Sequence, residues 1–409
     1  MGRRIRRGAG RSVAASGLVA LAVALAPSGS SALAPAADAG SPRATAPASL
    51  AGRGPEAWRE AGRGGVRGVT VGPIENAYHP GLGYGSAAYG RMLAECKQWG
   101  ATWIAITPFG RVADLAGRGV DPTFEKPHLD NQSDVRRAVA MAHAAGLSVM
   151  LVPHLWVESG QWRAEIDPKT DEGWARWAES YRSFVLGWAR VAEEAGVEML
   201  SAGVELRSWV TTTRAPTFAA VLRDVRKTYH GLLTYSANWD DVEHTVILSE
   251  LDVIGINAFY PLADKEGAGF STLLEGGERV QKRVSALARA WQKPVLFTEI
   301  GYTTRPDPAV KPWEWPDAMK NVVVDELAQA HAYRALVAPL LDEPSFMGFF
   351  VWRVYADPDD VSQEAEWGFS PRGKLAELVV RDAFLARWAV DGDARPRFGR
   401  RARVPSVFP

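Results

Sequence analysis

Two glutamates stand where apolar runs stop. In KPVLFTEIGY, residues 293–302, a proline-led run with the character of a buried parallel strand meets Glu299. In EMLSAGVELRSW, residues 198–209, the run that starts at Met199 meets Glu205. Strands disfavour carboxylates, and burying one without a partner or a task is costly. A helical pattern follows each run, so each carboxylate falls where a parallel strand opens into its loop. In α/β barrels that end carries the chemistry. Two carboxylates so placed suit glycosidic-bond hydrolysis: one protonates the leaving oxygen, and the other attacks the anomeric carbon or activates water. The alternative is two unrelated glutamates, each ion-paired near a strand end.

Their surroundings differ. Tyr260 and Tyr302 are candidate hydroxyl donors to Glu299, and donors to a carboxylate favour its charged form. Glu205 is flanked by Val204 and Leu206. The expectation is an ionised Glu299 as nucleophile and a Glu205 that keeps its proton as acid/base. Asn238 and Asn257 fall at strand tips, suited to sugar hydroxyls or to capping loops. Trp352 is placed to stack under a sugar or to pack in the core. His154 can bond a sugar hydroxyl or sit satisfied in the core, and Trp156 and Trp239 suit outer subsites. No His, Cys or carboxylate spacing matches a known metal site, so no metal or cofactor is expected. Cys96 lies at helical spacing with Met92 and Leu93, which fits a buried helix thiol better than a nucleophile.

The elements needed to hold these residues alternate along the chain. Strand patterns occur at GVTVG, ATWIAITPFG, LSVMLVPHLWV, the Glu205 run, LLTYSANWD, LDVIGINAFYP, the Glu299 run and MGFFVWRVY. Helical patterns separate them: one through Tyr89 to Trp99, one capped by Ser133 and ended by Gly146, one from Gly173 to Ala195, one near Pro216 to Tyr229. Others run from Glu278 to Trp291, through Asp325 to Leu341, and from Leu375 to Trp388. A long loop after the second strand is expected to hold Asp121, His128 and Asp130. Eight strands and about eight helices over roughly 320 residues fit a single (β/α)8 TIM barrel. A doubly wound sheet would carry a Gly-rich phosphate turn after its first strand. The turn here is GPIENAYHPG, which does not match.

Composition sets the outer limits. The chain of 409 residues is 47% hydrophobic, enough to bury a large core without disulfides, and its formal net charge of zero gives no grip on nucleic acid. Sixteen tryptophans recur near strand ends, where they either stack on pyranose faces or fill core. Arg3, Arg4, Arg6 and Arg7 precede an apolar run over residues 18–26 that is too short to span a bilayer. Residues 1–34 therefore read as a signal peptide, 35–64 as a flexible Ala/Pro/Gly-rich leader, 65–390 as the barrel and 391–409 as an Arg-rich tail. A secreted or periplasmic monomer is expected, with no membrane contact after cleavage.

Taken together, PHLWV, YSANWD, DVIGINAFYPL, FTEIGY and the strand-eight Trp resemble glycoside hydrolase family 113 of clan A, from about Val66 to Asp357. The characterised members of that family are retaining endo-β-1,4-mannanases. The resemblance implies a poly- or oligosaccharide substrate, Glu205 as acid/base and Glu299 as nucleophile. One position departs. Clan A enzymes usually place an Asn, which bonds the sugar 2-hydroxyl, immediately before the acid/base, and here that residue is Val204. Either Asn238 or Asn257 supplies the bond, or the sugar is held differently, or activity is weakened. The competing function is a catalytically weak barrel that binds glycan without cutting it.

Overall fold

The computed structural model describes residues 55–62, 64–72, 81–316, 319–356 and 364–391. The expected signal peptide, the leader to residue 54, residues 73–80 of the GPIENAYHPG turn and the tail beyond 391 lie outside the described residues. In chain order the strands are β1 (Val66–Val71), β2 (Trp103–Ile106), β3 (Phe109–Val112), β4 (Ser148–Leu151), β5 (His154–Val157), β6 (Met199–Val204), β7 (Leu232–Asn238), β8 (Ile254–Asn257), β9 (Val295–Ile300) and β10 (Phe346–Val354). The helices are α1 (Pro55–Ala61), α2 (Ala87–Gln98), α3 (His128–Ala144), α4 (Asp171–Ala195), α5 (Arg207–Val210), α6 (Ala215–Thr228), α7 (Phe270–Trp291), α8 (Glu326–Val337) and α9 (Leu375–Leu385).

Eight strands close a parallel barrel in the order β1-β10-β9-β8-β7-β6-β4-β2. The expected second and third strands are each divided in two. Pro108 and Pro153 have no N–H to give the ladder, and beyond them β3 and β5 pair as a separate parallel ribbon. That ribbon lifts Phe109 and His154 to the barrel mouth. An apolar plug of Trp103, Met150, Met199, Leu232, Leu296 and Phe350 fills the interior. A larger apolar layer separates the strands from the helices.

Four expectations about elements need correction. Part of the supposed leader is α1, whose Trp58 packs into the barrel plug; Gly62 just beyond it accepts a bond from Trp103 Nε1 at 3.3 Å. The helix assigned to a Ser133 cap begins at His128, directly after Pro127, so Ser133 lies inside it, and His128 and Asp130 belong to its first turn. Helix α7 starts at Phe270 rather than Glu278. Gly276 and Gly277 look like helix breakers in the sequence, but they serve close approach: a Cβ on either would overlap the Leu262 or the Ala335 carbonyl. The last helix stops at Leu385, and Trp388 beyond it stacks on Phe349 at 5.6 Å. Cys96 is buried on α2, bonded to Met92 Sδ at 3.4 Å, and burial pushes its thiol up.

Strand irregularities aim the two glutamates. On β6, Ala202 faces the outer layer, and a Cβ added to Gly203 would also point outward, so consecutive residues share a face. The register against β7 shifts between Ser201 and Val204, which returns Val204 to the interior plug. Glu205 follows with φ at 51°. On β9, Leu296 faces in and Phe297 faces out, so strict alternation would turn Glu299 outward. The β8–β9 register slips between Ile256/Phe297 and Asn257/Glu299, and Glu299 faces the cavity instead.

Rings from α4, α5, α6 and β7 grip the turn before Glu205. Tyr181 Oη donates to the Ala202 carbonyl at 2.9 Å, and the Leu206 N–H donates to Tyr235 Oη at 2.6 Å. An alanine Cβ at 203 would lie 2.9 Å from Tyr181 Oη and 3.0 Å from the Phe218 and Tyr235 rings. Gly203→Ala should therefore destabilise the fold by about 1–3 kcal/mol, the usual cost of overpacking. Urea unfolding would measure it, and a midpoint equal to wild type would contradict this packing.

Candidate active site

At the C-terminal end of the barrel strands lies a cavity of about 690 Å³, and Glu205 and Glu299 both line it. Their side chains are nearly buried, at 8% and 6% exposure, so each charge needs local compensation.

The compensation is uneven. Glu205 Oε2 accepts from Trp162 Nε1 at 3.0 Å, and Oε1 accepts from Asn257 Nδ2 at 3.0 Å. The Arg163 guanidinium lies 3.6 Å from Oε2. Glu205 thus has two hydrogen-bond donors and one cation beside it. Glu299 has His154 Nε2 at 3.5 Å from Oε1. That contact carries little charge, because burial, aided by the Arg163 and Arg353 charges, pushes His154 well below its ordinary value and leaves the ring neutral. Burial pushes Glu299 well above the usual carboxylate range, and the Glu205 charge adds to the rise; Arg163, Arg353 and the Asn257 amide oppose it. Against the expectation of an ionised Glu299, burial makes it the carboxyl that favours its proton in the empty site.

The donors expected for Glu299 lie elsewhere. Tyr260 sits behind the wall, its ring against Trp239 and Phe297 and under the Arg283 guanidinium. Tyr302 Oη donates to the Tyr260 carbonyl at 3.3 Å, and its ring meets Tyr333. Both were expected as donors because they lie near strand ends beside Glu299, but both are buried behind the cavity wall.

Other expected residues separate into lining and support. His154 is 1% exposed and lines the cavity between Phe109 and Trp352, and neither ring nitrogen has a hydrogen-bond partner among the described residues. Trp352 forms part of the apolar lining with Phe259 and Phe369. Trp239 lines the cavity and stacks on Trp313 at 5.5 Å, and Trp156 lies at the mouth, 39% exposed. The two asparagines divide the work left open between them. Asn238 lines the cavity and donates to Asp240 Oδ1 at 2.6 Å. Asn257 is fully buried and bonds Glu205, with its own Oδ1 accepting from Thr298 at 2.9 Å. Val204, where an Asn was looked for, is interior plug.

Sequence reasoning missed Trp162, Arg163, Trp313, Trp315 and Arg353, all of which line the cavity. All but Arg353 sit on loops beyond strand ends, where no periodicity marks them; the aromatic pair in KPWEWPD was the available signal. The cavity arginines differ. Arg207 is tied to Asp240 and Asp241 at 2.8 and 2.6 Å, and Arg353 pairs with Glu364 at 3.4 Å. Among the described residues no group of three or more His, Cys, Asp or Glu side chains could hold a metal, and no helix is long and apolar enough to cross a membrane. The chemistry available is that of two carboxylates in an aromatic-walled cleft.

Comparison with known proteins bears on that chemistry. A family model described as Glycoside Hydrolase Family 113 matches residues 83–374. No curated protein matches the chain. Among solved structures, a family 113 β-mannanase from Alicyclobacillus acidocaldarius in complex with ManMIm is 25% identical, covers 78% of this chain and 97% of its own, and has a TM-score of 0.67. A second family 113 β-1,4-mannanase is 22% identical, with coverage of 79% and 99% and a TM-score of 0.67. A family 5 mannosidase from Rhizomucor miehei is 11% identical, with coverage of 78% and 92% and a TM-score of 0.55. The last two likenesses speak to the fold alone.

Glu205→Gln removes one charge that raises Glu299. The Glu299 carboxyl, followed by carbon NMR on Glu-labelled protein, should then titrate at lower pH than in wild type. An unchanged midpoint would contradict electrostatic coupling between the two.

Proposed function

The chain belongs to glycoside hydrolase family 113, and on that premise we propose that it is an exported, retaining β-mannanase that cleaves β-1,4-linked polysaccharide within the chain. The observation that carries this reading is the pair Glu205 and Glu299 on the wall of one aromatic-lined cavity. Asn257 supports it by tying them together: its amide bonds Glu205, and it pairs with Glu299 across the β8–β9 ladder. The mannan preference is carried over from the similar β-mannanase of Alicyclobacillus acidocaldarius.

In the first step Glu299 attacks the anomeric carbon while the glycosidic C–O bond breaks, and Glu205 gives its proton to the leaving oxygen. A covalent glycosyl ester on Glu299 results. In the second step water loses a proton to Glu205 and attacks the anomeric carbon, releasing Glu299 as carboxylate. Two inversions restore the starting configuration. The pair must hold one proton, and reaction requires it on Glu205, whereas burial favours it on Glu299 in the empty site. Substrate hydroxyls and a His154 Nε2–H donating to Glu299 would favour its anion and move the proton across. His154 is suited to that task because it is neutral, buried and unpartnered among the described residues.

Aromatic faces account for the glycan class. Trp352 lies within the cavity lining, and Trp239, Trp313, Trp315 and Trp156 extend apolar surface toward its mouth. Rings of this kind cover the C–H faces of pyranoses. Export rests on the basic and apolar start of the chain.

Protein recovered from the culture medium should begin after about residue 34 and release reducing sugar from mannan and glucomannan, but not from xylan or cellulose. Glu299→Ala should lose turnover by at least about a thousandfold, and added azide should give a glycosyl azide of inverted configuration. Glu205→Ala should keep its first step on substrates with good leaving groups, and azide should restore turnover with retention. Reversed responses would overturn the roles, an intact Met1 would overturn export, and full activity in both variants would overturn the mechanism.

A further inference from the structure

Arg163 differs from the other cavity arginines. Arg207 and Arg353 each have a carboxylate outside the catalytic pair, Asp240 with Asp241 for one and Glu364 for the other. The ion pair that Arg163 makes is with Glu205 itself, 3.6 Å from Oε2, and its buried Nε has no hydrogen-bond partner among the described residues. Trp162, the preceding residue, donates its indole N–H to the same oxygen at 3.0 Å. One loop step thus places a neutral donor and a cation on one carboxylate oxygen.

The step is braced from outside. The Arg207 guanidinium lies over the Trp162 ring, 4.7 Å from its centre, and Asp240 and Asp241 fix Arg207 in turn. Ser208 Oγ donates to the Ile166 carbonyl at 2.5 Å and ties down the far end of the short helix that Arg163 opens. Glu299, Asp241 and Tyr235 also face Glu205, and Arg163 is the cation ion-paired with it among the described residues. Arg207, Arg353 and the neutral His154 line the same cavity.

We propose that Trp162 and Arg163 are positioning residues that hold Glu205 as an oriented carboxylate, ready to take the proton from water in the second half of the reaction. The proposal rests on the reading of Glu205 as acid/base. The first half uses Glu205 as the proton donor, a task that a good leaving group makes unnecessary. The second half needs the anion aimed at the water that cleaves the glycosyl ester, and the clamp supplies it. Its loss slows release of the glycosyl group more than its formation. A purely structural loop would affect both halves alike.

Dinitrophenyl β-mannobioside separates the two, because its good leaving group needs no proton and leaves breakdown of the intermediate rate-limiting. With this substrate, Trp162→Phe and Arg163→Met should lower kcat and KM together, each about tenfold, as expected for loss of a hydrogen bond to a charged group in the first and of an ion pair in the second. In the pH-independent range kcat/KM should stay near wild type. Azide, which attacks without a base, should restore kcat in both. Arg163→Lys keeps the charge and should recover kcat to within about threefold of wild type. Arg163→Met should also move the acidic limb of kcat/KM to higher pH, since Arg163 helps hold Glu299 down; Trp162→Phe should not. A fall in kcat/KM at unchanged KM, no response to azide, or a Lys variant no better than Met would overturn the clamp. Glu205→Ala is the control. If azide fails to rescue that variant, the acid/base reading falls; if azide rescues it but neither clamp variant, the clamp alone falls.

Discussion

Two carboxylates buried in the mouth of one barrel repel each other and resist losing water, and the rest of the site answers that constraint. The response is asymmetric. Glu205 receives an indole N–H, an amide N–H and a nearby guanidinium, whereas Glu299 faces a neutral imidazole. Three arginines line the cavity, but two are held by their own acids, so their charge reaches the pair only in part. Burial raises Glu299 and lowers His154, so the empty site limits the number of buried charges it must carry. Hydroxyl donors placed beside Glu299 would favour its anion and change that balance.

Geometry meets the electrostatics through backbone irregularity. Regular strands would turn Glu299 toward the helices with Phe297 and give Glu205 no route to the cavity after the inward Val204. A register slip on β9, and on β6 a shift followed by a positive φ, turn both side chains toward the axis. Such conformations persist where packing over-determines them. The Tyr181, Phe218 and Tyr235 rings behind Gly203 provide that packing, with two of their hydroxyls bonded to the backbone on either side of Glu205. These rings therefore set where Glu205 points, although none of them lines the cavity.

Much of this was legible in the chain itself. The βα alternation, the ends of β6 and β9 at the two glutamates and the lining roles of His154, Trp239 and Trp352 follow from burial patterns and the direction of parallel strands. What failed did so where local rules change. Tyr260 and Tyr302 were expected to donate to Glu299 because they lie near strand ends, but the slip in register turns Glu299 into the cavity while both rings stay buried behind the wall. Asn257 lies beneath the carboxylates rather than in the cavity, a distinction of depth that a strand-tip position does not carry. Trp162 and Arg163 sit on a loop whose path depends on Arg207 and Ser208, more than forty residues away, so no local pattern announces them. Helix α7 was expected only from Glu278, and the Gly276–Gly277 pair inside it serves close approach to neighbouring backbone, which leaves no trace in periodicity.

The central claim is that Glu299 carries the sugar and Glu205 moves the proton. A mannosyl fluoride bearing fluorine at the sugar's second carbon forms the glycosyl ester faster than it breaks down, so the intermediate accumulates. After digestion, mass spectrometry of the inactivated protein should find the added sugar on the peptide containing Glu299 and on no other. Label on Glu205, or rapid turnover of natural substrate with no label at either glutamate, would contradict the account.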